Sequence, residues 1–343
     1  MTNSGNFEGF NILHVTKPLS VFSKENGIDE EDLKTIFRKA KSKLLEARNL
    51  RVKPARDEKI LTSWNALMLH AYAEAGVVLD QPEYVDIAKR NAKFILSELY
   101  KGNRLLHSYK DGNAKLNGYL EDYAFFIDGL ISLHEATFEI HWLDTAIKLA
   151  EIMIDLFWEN ESGQWFDTSH DHEKLIVRPR DISDNVTPSG SSMASDVMLK
   201  LSIMTGKSEF ENIAVSAIEF AGDLMTRFPT ASGHWLCALD FYLSETKELA
   251  IFGNRWDANT QDMLRRIHAQ YLPNRVILGK PDDEEVLTEI PLFNNRAKLN
   301  NQTTVYVCQN YICKLPVTFG GGITTEKYFF LPFLGLKKLF FSQ

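Results

Sequence analysis

The chain has few cysteines, three in 343 residues, and each absence of this kind removes a class of protein. Three thiols cannot make a disulfide framework and suit a reducing compartment. Cys308 and Cys313 are neither a C-x-x-C redox pair nor half of a zinc site lacking a second Cys or His pair, so they read as free thiols, with a local bridge as the alternative. A net charge of −8 and a pI near 5.7 leave no basic surface for nucleic acid or an anionic membrane. The start, MTNSGNFEGF, has no basic n-region and no apolar h-region. The apolar stretch at 328–341 is broken by Pro332 and by Lys337 and Lys338, and is too short to span a bilayer. A cytoplasmic protein without nucleic-acid or membrane partners is expected. Glycine-rich phosphate loops are missing too, and Gly253 after a strand-like run reads as a turn. His107, His170, His172 and His234 match no zinc spacing. No cofactor and no metal are expected.

What is present is ordinary globular composition, 44% hydrophobic and 24% charged, enough for one large domain with an appendage or for two domains. The chain is organised around residues 117–130, NGYLEDYAFFIDGL, where Glu121 and Asp122 stand at the first turn of a helix between aromatics. Free N–H groups at a helix start stabilise negative charge. The same plan of a polar cluster, an apolar helix, a short turn and a second helix recurs at 57–68, 185–199 and 232–242. Residues 30–48 form an amphipathic helix capped by Asp29. Residues 66–75 are apolar nearly all round, as a buried helix is, whereas 83–100 keep a charged face. Pairs follow at 119–137 with 142–157 and at 188–205 with 209–227, and 233–243 is one more inner helix.

Inner-to-outer turns are short, while outer-to-inner connections are long and carry strand-like pieces at 104–109 and 164–168. This asymmetry predicts a mainly α fold, an α/α toroid or solenoid of helix hairpins, with every long connection at one end. The helix starts at Thr62, Leu120 and Ser189 should therefore lie together. After residue 243 the pattern changes to strand, helix, strand, a small βαβ appendage over 247–317 with a further strand at 303–308 and an acidic loop at 281–285. Residues 1–29 read as an N-terminal extension, 30–246 as barrel helices, and 318–343 as a divergent tail.

The candidate catalytic residues are Glu121, Asp122 and Asp57. Neighbouring carboxylates in an aromatic-lined site have their pKa values pushed apart, which suits acid/base work; the plainer alternative is that one caps the helix and the other pairs with a base. Trp64 offers a flat apolar face to a sugar ring, or else fills a core. Asp57 and Lys59 either pair across their loop or reach the cavity of Glu121. Arg178, with its alternating charges up to Asp184, either binds an anionic group near the following helix start or closes an internal ion-pair network. Asn65, Tyr119, Tyr123 and Ser189 complete the expected substrate-binding set.

Four segments, Asp57-x-Lys59-x-Leu61-Thr62-Ser63-Trp64-Asn65, Tyr119-Leu120-Glu121-Asp122-Tyr123-Ala124, the Arg178…Asp184…Pro188-Ser189-Gly190 region and the Cys308…Cys313…Pro316 ending, resemble in this order the family that includes spermatogenesis-associated protein 20. The match runs over about 7–316. The resemblance implies a thioredoxin-like N-terminal domain followed by a six-hairpin (α/α)6 barrel of the kind shared with N-acylglucosamine 2-epimerase and many glycosidases, and a link to carbohydrate metabolism and spermatogenesis. It departs at three places. The upstream domain and early barrel helices are absent, leaving about eight of twelve helices. Ser191 stands where the family often has Asn, and the tail no longer follows. The expected fold is an incomplete (α/α)6 toroid with an open apolar edge near 30–75 that favours self-association. The expected function is sugar or other small-molecule binding with an epimerase-, isomerase- or hydrolase-like site. The alternative is a non-catalytic helical scaffold for a partner, with any redox role resting on the absent thioredoxin-like domain.

Overall fold

The computed structural model describes residues 3–173, 176–281 and 289–318; most of the expected acidic loop and nearly all of the divergent tail lie outside the described residues. The chain divides into two units, Met1–Glu58 and Lys59–Gln343. In the first, α1 (Leu19–Asn26) packs on α2 (Glu30–Asn49). Asp29 caps α2, its Oδ1 accepting from the Glu31 and Asp32 amides. Only Leu33 of α2 is buried, and Ile36, Leu44 and Leu45 stay exposed.

The second unit is a set of helix hairpins. The pairs are α3 (Thr62–Val78) with α4 (Pro82–Phe94), α5 (Leu120–Thr137) with α6 (Ile140–Phe157), and α7 (Gly190–Thr205) with α8 (Ser208–Phe220). The short α9 (Gly222–Arg227) precedes a fourth inner helix, α10 (Gly233–Leu243). The inner helices pack in the order α3, α5, α7, α10. The hairpin turns are tight because a left-handed residue ends the helix: Phe138 after α5, at φ 64°, and Gly206 after α7, at φ 71°. Where α5 crosses α3 the helices approach closely at Gly129, where an added Cβ would stand 2.8 Å from Leu69 Cδ2 and 3.1 Å from the Ala66 carbonyl oxygen.

The starts of the inner helices meet. The Ser63 amide at the head of α3 donates to Asp122 Oδ1 of α5 at 2.9 Å. Gly190 at the head of α7 lies so close to α5 that an added Cβ would be 3.0 Å from the Glu121 nitrogen. Asp184 joins the heads of α7 and α10. The connections that return to this end carry β1 (Ile60–Leu61), β2 (Tyr100–Lys101), β3 (Arg104–Lys110) and β4 (Asn113–Asn117), which pair antiparallel through β3, and the small ribbon β5 (Trp158–Glu159) with β6 (Gln164–Trp165). The fold is mainly α, a row of helix hairpins whose inner helices start at one end. Among the described residues no helix is long and apolar enough to cross a membrane.

A βαβ unit follows: β7 (Lys247–Phe252), α11 (Ala258–His268) and β8 (Arg275–Lys280), the strands parallel. On the other side of β7, β9 (Thr304–Gln309) runs antiparallel and pairs with β10 (Ile312–Cys313) and β11 (Val317–Thr318). The free-thiol reading of Cys308 and Cys313 is corrected here. The tight turn at Asn310 and Tyr311 sets Cys308 directly opposite Cys313, and the two form a disulfide, leaving Cys237 as the free thiol.

Phe138, at the α5–α6 turn, is the plug between the hairpins and this sheet, buried among Leu249, Ile251, Met263 and Ile277. Its ring sits where a side chain of residue 279 would go: a Cβ on Gly279 would be 1.9 Å from Phe138 Cδ1. Gly279→Ala is therefore expected to cost about 1–3 kcal/mol by overpacking. Urea midpoints check this, with partial recovery expected when Phe138→Leu makes room.

Candidate active site at the inner-helix starts

Asp122 is fully buried and accepts three hydrogen bonds: from the Ser63 amide, from the Tyr119 amide at 2.8 Å, and from His107 Nδ1 of β3 at 2.9 Å. One carboxylate thus ties α3, the head of α5 and β3 together, which is why a charge is tolerated in a site with no exposure. Its grip raises the pKa of His107, chiefly through the hydrogen bond, against the opposing effect of burial. The ring of His107 meets Tyr119 edge-on, centroids 4.9 Å apart.

Glu121, next along the chain, stays partly accessible. Burial first, and then the charge of Asp122, push its carboxyl above the ordinary range. The two carboxylates have separated in role: Asp122 holds the scaffold, and Glu121 holds a proton more tightly than a free glutamate does. The ligand atoms of His107, Glu121 and Asp122 lie within 4.8 Å of one another, so the group could accept a metal ion. With the Asp122 oxygens already engaged, His107 and Glu121 are the donors such an ion would meet.

Most of the other sequence candidates are engaged by contacts within the protein. Trp64 projects outward, 67% exposed, one residue after Ser63. Asn65 bonds back to the Leu61 carbonyl. Tyr123 is buried, its hydroxyl accepting from the Leu105 amide at 2.9 Å. Arg178 donates to the carbonyls of Thr168 and Leu156 and stacks on Phe166. Asp184 accepts from the Ser189 amide, the Ser192 hydroxyl and the His234 and Trp235 amides, and Ser189 caps α7. Asp57 belongs to the first unit, exposed in the extended segment near its end.

A second polar group was not singled out from the sequence. Every residue of α5 is buried except Glu121, Ser132 and Glu135, and Asp128 lies on that same stripe, two turns below Glu121. His70 lies two turns below Ser63 on α3 in the same way. His70 Nδ1 is 2.7 Å from Asp128 Oδ2, Lys200 Nζ is 3.0 Å from Asp128 Oδ1 and 2.9 Å from Asp196 Oδ2, and His234 Nε2 is 3.5 Å from Asp196. All four inner helices contribute. The available signal was the seven-residue spacing of polar residues on helices otherwise apolar all round.

No protein-family model matches the chain. It is similar to spermatogenesis-associated protein 20 of Homo sapiens, 32% identical over 327 residues that cover 92% of this chain and 42% of that protein. The protein of that name from Rattus norvegicus is 30% identical over 328 residues, with the same coverage. The chain thus spans less than half the length of the curated relatives it matches. Among solved structures, a cellobiose 2-epimerase from Spirochaeta thermophila overlays on 49% of this chain and 44% of its own, with TM-score 0.42 and 16% identity. A family 105 glycoside hydrolase from C. acetobutylicum overlays on 61% of each chain, with TM-score 0.40 and 15% identity. Nine-tenths of the chain is thus similar to a part of spermatogenesis-associated protein 20.

Proposed function

We propose that the chain binds a small hydroxylated ligand of the sugar class at the inner-helix starts and transfers a proton on it, as an epimerase or isomerase does. The observation that carries this reading is the division of labour between two adjacent carboxylates. Asp122 is consumed in holding His107, and Glu121 is left partly accessible with its proton affinity raised. A carboxyl and an imidazole held side by side can take a proton from a carbon beside a carbonyl and return it, work for which a carboxyl of raised proton affinity is suited. Tyr119, edge-on to His107, supplies aromatic surface for the C–H side of a sugar.

Glu121→Gln keeps the shape and removes the titrating group. Deuterium uptake from D2O into a panel of reducing hexoses and N-acyl hexosamines, followed by NMR, is expected to fall by about 10²–10⁴-fold, with an unchanged melt. Equal uptake in wild type and variant, or no uptake by wild type across the panel, would overturn the reading.

A second reading, a scaffold that meets a partner or another copy of itself, draws on one specific observation. Trp64, Met68, Val78 and Leu79 expose apolar surface along and just after α3. Sedimentation velocity tests it: concentration-dependent association that Trp64→Ser with Met68→Ser abolishes supports the scaffold, and a monomer at all concentrations removes it.

A further inference from the structure

The bridge between Cys308 and Cys313 joins two sulfurs in unlike surroundings. Cys308, in β9, is 2% exposed and belongs to the core beneath the sheet. Cys313 stands half-buried in β10, an edge strand, between the exposed Ile312 and Lys314. A thiol arriving from solvent therefore meets Cys313 first. Arg296 Nε donates to Cys313 Sγ at 3.0 Å, while Nη1 donates to the Pro291 and Asn294 carbonyls and Nη2 to the Tyr311 carbonyl. These three oxygens already fix the guanidinium, so the contact to sulfur is additional to a structural clip. A disulfide sulfur is a weak, uncharged acceptor, whereas a thiolate answers the guanidinium charge in full. The contact is thus worth more in the reduced protein than in the oxidised one, and it favours the Cys313 thiolate over its thiol.

Reversible chemistry also needs a frame that survives when the bridge opens. The Tyr311 amide donates to Glu248 Oε2 at 2.9 Å, the Tyr311 hydroxyl to the Ile203 carbonyl of α7 at 2.9 Å, and the Lys314 amide to the Val307 carbonyl at 3.0 Å. None of these bonds involves a sulfur, so β10 stays beside β9 and the two thiols keep their register. Glu248 is buried directly across from Cys308 in the β7–β9 ladder, and burial raises its carboxyl above the ordinary range. Cross-strand neighbours share a face of the sheet, so an acid of raised proton affinity lies on the same face as the buried sulfur.

We propose that Cys308 and Cys313 are a thiol–disulfide exchange centre for a low-molecular-weight thiol, with Cys313 as the exchanging sulfur, Arg296 as the partner of its thiolate and Cys308 as the resolving sulfur. The thiolate of the small thiol attacks Cys313 Sγ, the bond between the protein sulfurs breaks, and Cys308 leaves with the electron pair and takes a proton. A second small thiolate attacks the small-molecule sulfur of the mixed disulfide, and Cys313 leaves as a thiolate held by Arg296. Two small thiols are oxidised to their disulfide, the protein pair gains two electrons, and the second proton goes to solvent. The reverse sequence closes the bridge again. A small thiol suits the site because Cys313 is only partly open to solvent. The inference is independent of the sugar reading, since the two share no side chain.

The test equilibrates the full chain in mixtures of reduced and oxidised glutathione, quenches with iodoacetamide and reads the cysteine peptides by mass spectrometry. The pair is expected to open and close reversibly as the glutathione ratio changes. In Cys308→Ser, glutathione is expected on Cys313; in Cys313→Ser, Cys308 is expected to stay unmodified while the chain is folded. Half-maximal alkylation of Cys313 in Cys308→Ser is expected below the ordinary thiol value of about 8.5. Adding Arg296→Gln should raise that midpoint by about one pH unit or more, and adding Arg296→Lys, which keeps the charge, should raise it less. A pair that no glutathione ratio changes, glutathione trapped on Cys308 instead of Cys313, or a midpoint that Arg296→Gln leaves unmoved would each overturn the proposal. If Arg296→Gln does not fold, the position of the trapped glutathione decides.

Discussion

Lys200→Met is expected to lower the stability of the folded chain by about 3–5 kcal/mol, because it removes the one ammonium that stands between two buried carboxylates. The side chains of Asp128 and Asp196 are 5% and 8% exposed, so water cannot replace the lost partner. Methionine fills nearly the same space, and the loss measures charge rather than a cavity. Asp128 keeps His70 as a partner, whereas Asp196 keeps only the more distant His234. The double variant Lys200→Met with Asp196→Leu should therefore recover a large share of the loss. Urea unfolding of the three proteins decides the matter: a single-variant loss below about 1 kcal/mol would mean that the carboxylates are solvated or protonated in the fold.

The same network sets a pH window. The Asp128 charge raises His70 to about 10, above its ordinary value near 6.5. Stability from a raised imidazole is complete below the unfolded value and is lost as pH climbs through the folded one. Burial pushes Asp128 up, but His70 and Lys200 pull it down further, to well below the usual carboxylate range. Its contribution is complete above the ordinary carboxylate pKa and is lost as pH falls below it. The melting temperature should decline between pH 7 and 10 in wild type, and His70→Gln should flatten that decline.

Much of the fold was legible because it depends on local pattern. Asp29 announces α2, the all-round apolar stretches mark α3, α5 and α7 as inner helices, and the strand–helix–strand order gives β7, α11 and β8. The candidate site was legible only in part. Glu121 and Asp122 stand out at a helix start, but nothing local says which carboxylate the fold will consume. That depends on the Ser63 amide, 59 residues away in sequence, and on His107 in the returning strand. The His70, Asp128, Lys200 and Asp196 network was hidden for the same reason: Lys200 is 72 positions from Asp128, and each residue alone reads as a surface charge on its helix. The disulfide stood only as the alternative to free thiols because a pair of cysteines with four residues between them meets only when a tight turn reverses the strand between them.

Asp184→Ala is expected to cost about 2–4 kcal/mol, the loss of two helix caps together. The sequence offered Asp184 as a ligand contact, a polar residue in a long connection ahead of a helix start. In the fold its two oxygens are both engaged by the protein. Oδ1 accepts from the Ser189 amide at 2.8 Å and the Ser192 hydroxyl at 2.6 Å, at the head of α7, and Oδ2 accepts from the His234 amide at 2.7 Å and the Trp235 amide at 3.3 Å, at the head of α10. Alanine leaves these donors without their acceptor and lets the two inner helices fray where they meet. A residue that caps should lose stability and spare affinity; one that touches ligand should do the reverse. Thermal melts beside calorimetric titration with whichever sugar wild type binds separate the two, each titration run well below the variant's own midpoint. A melt unchanged within about 0.5 kcal/mol together with lost affinity would return Asp184 to the binding surface.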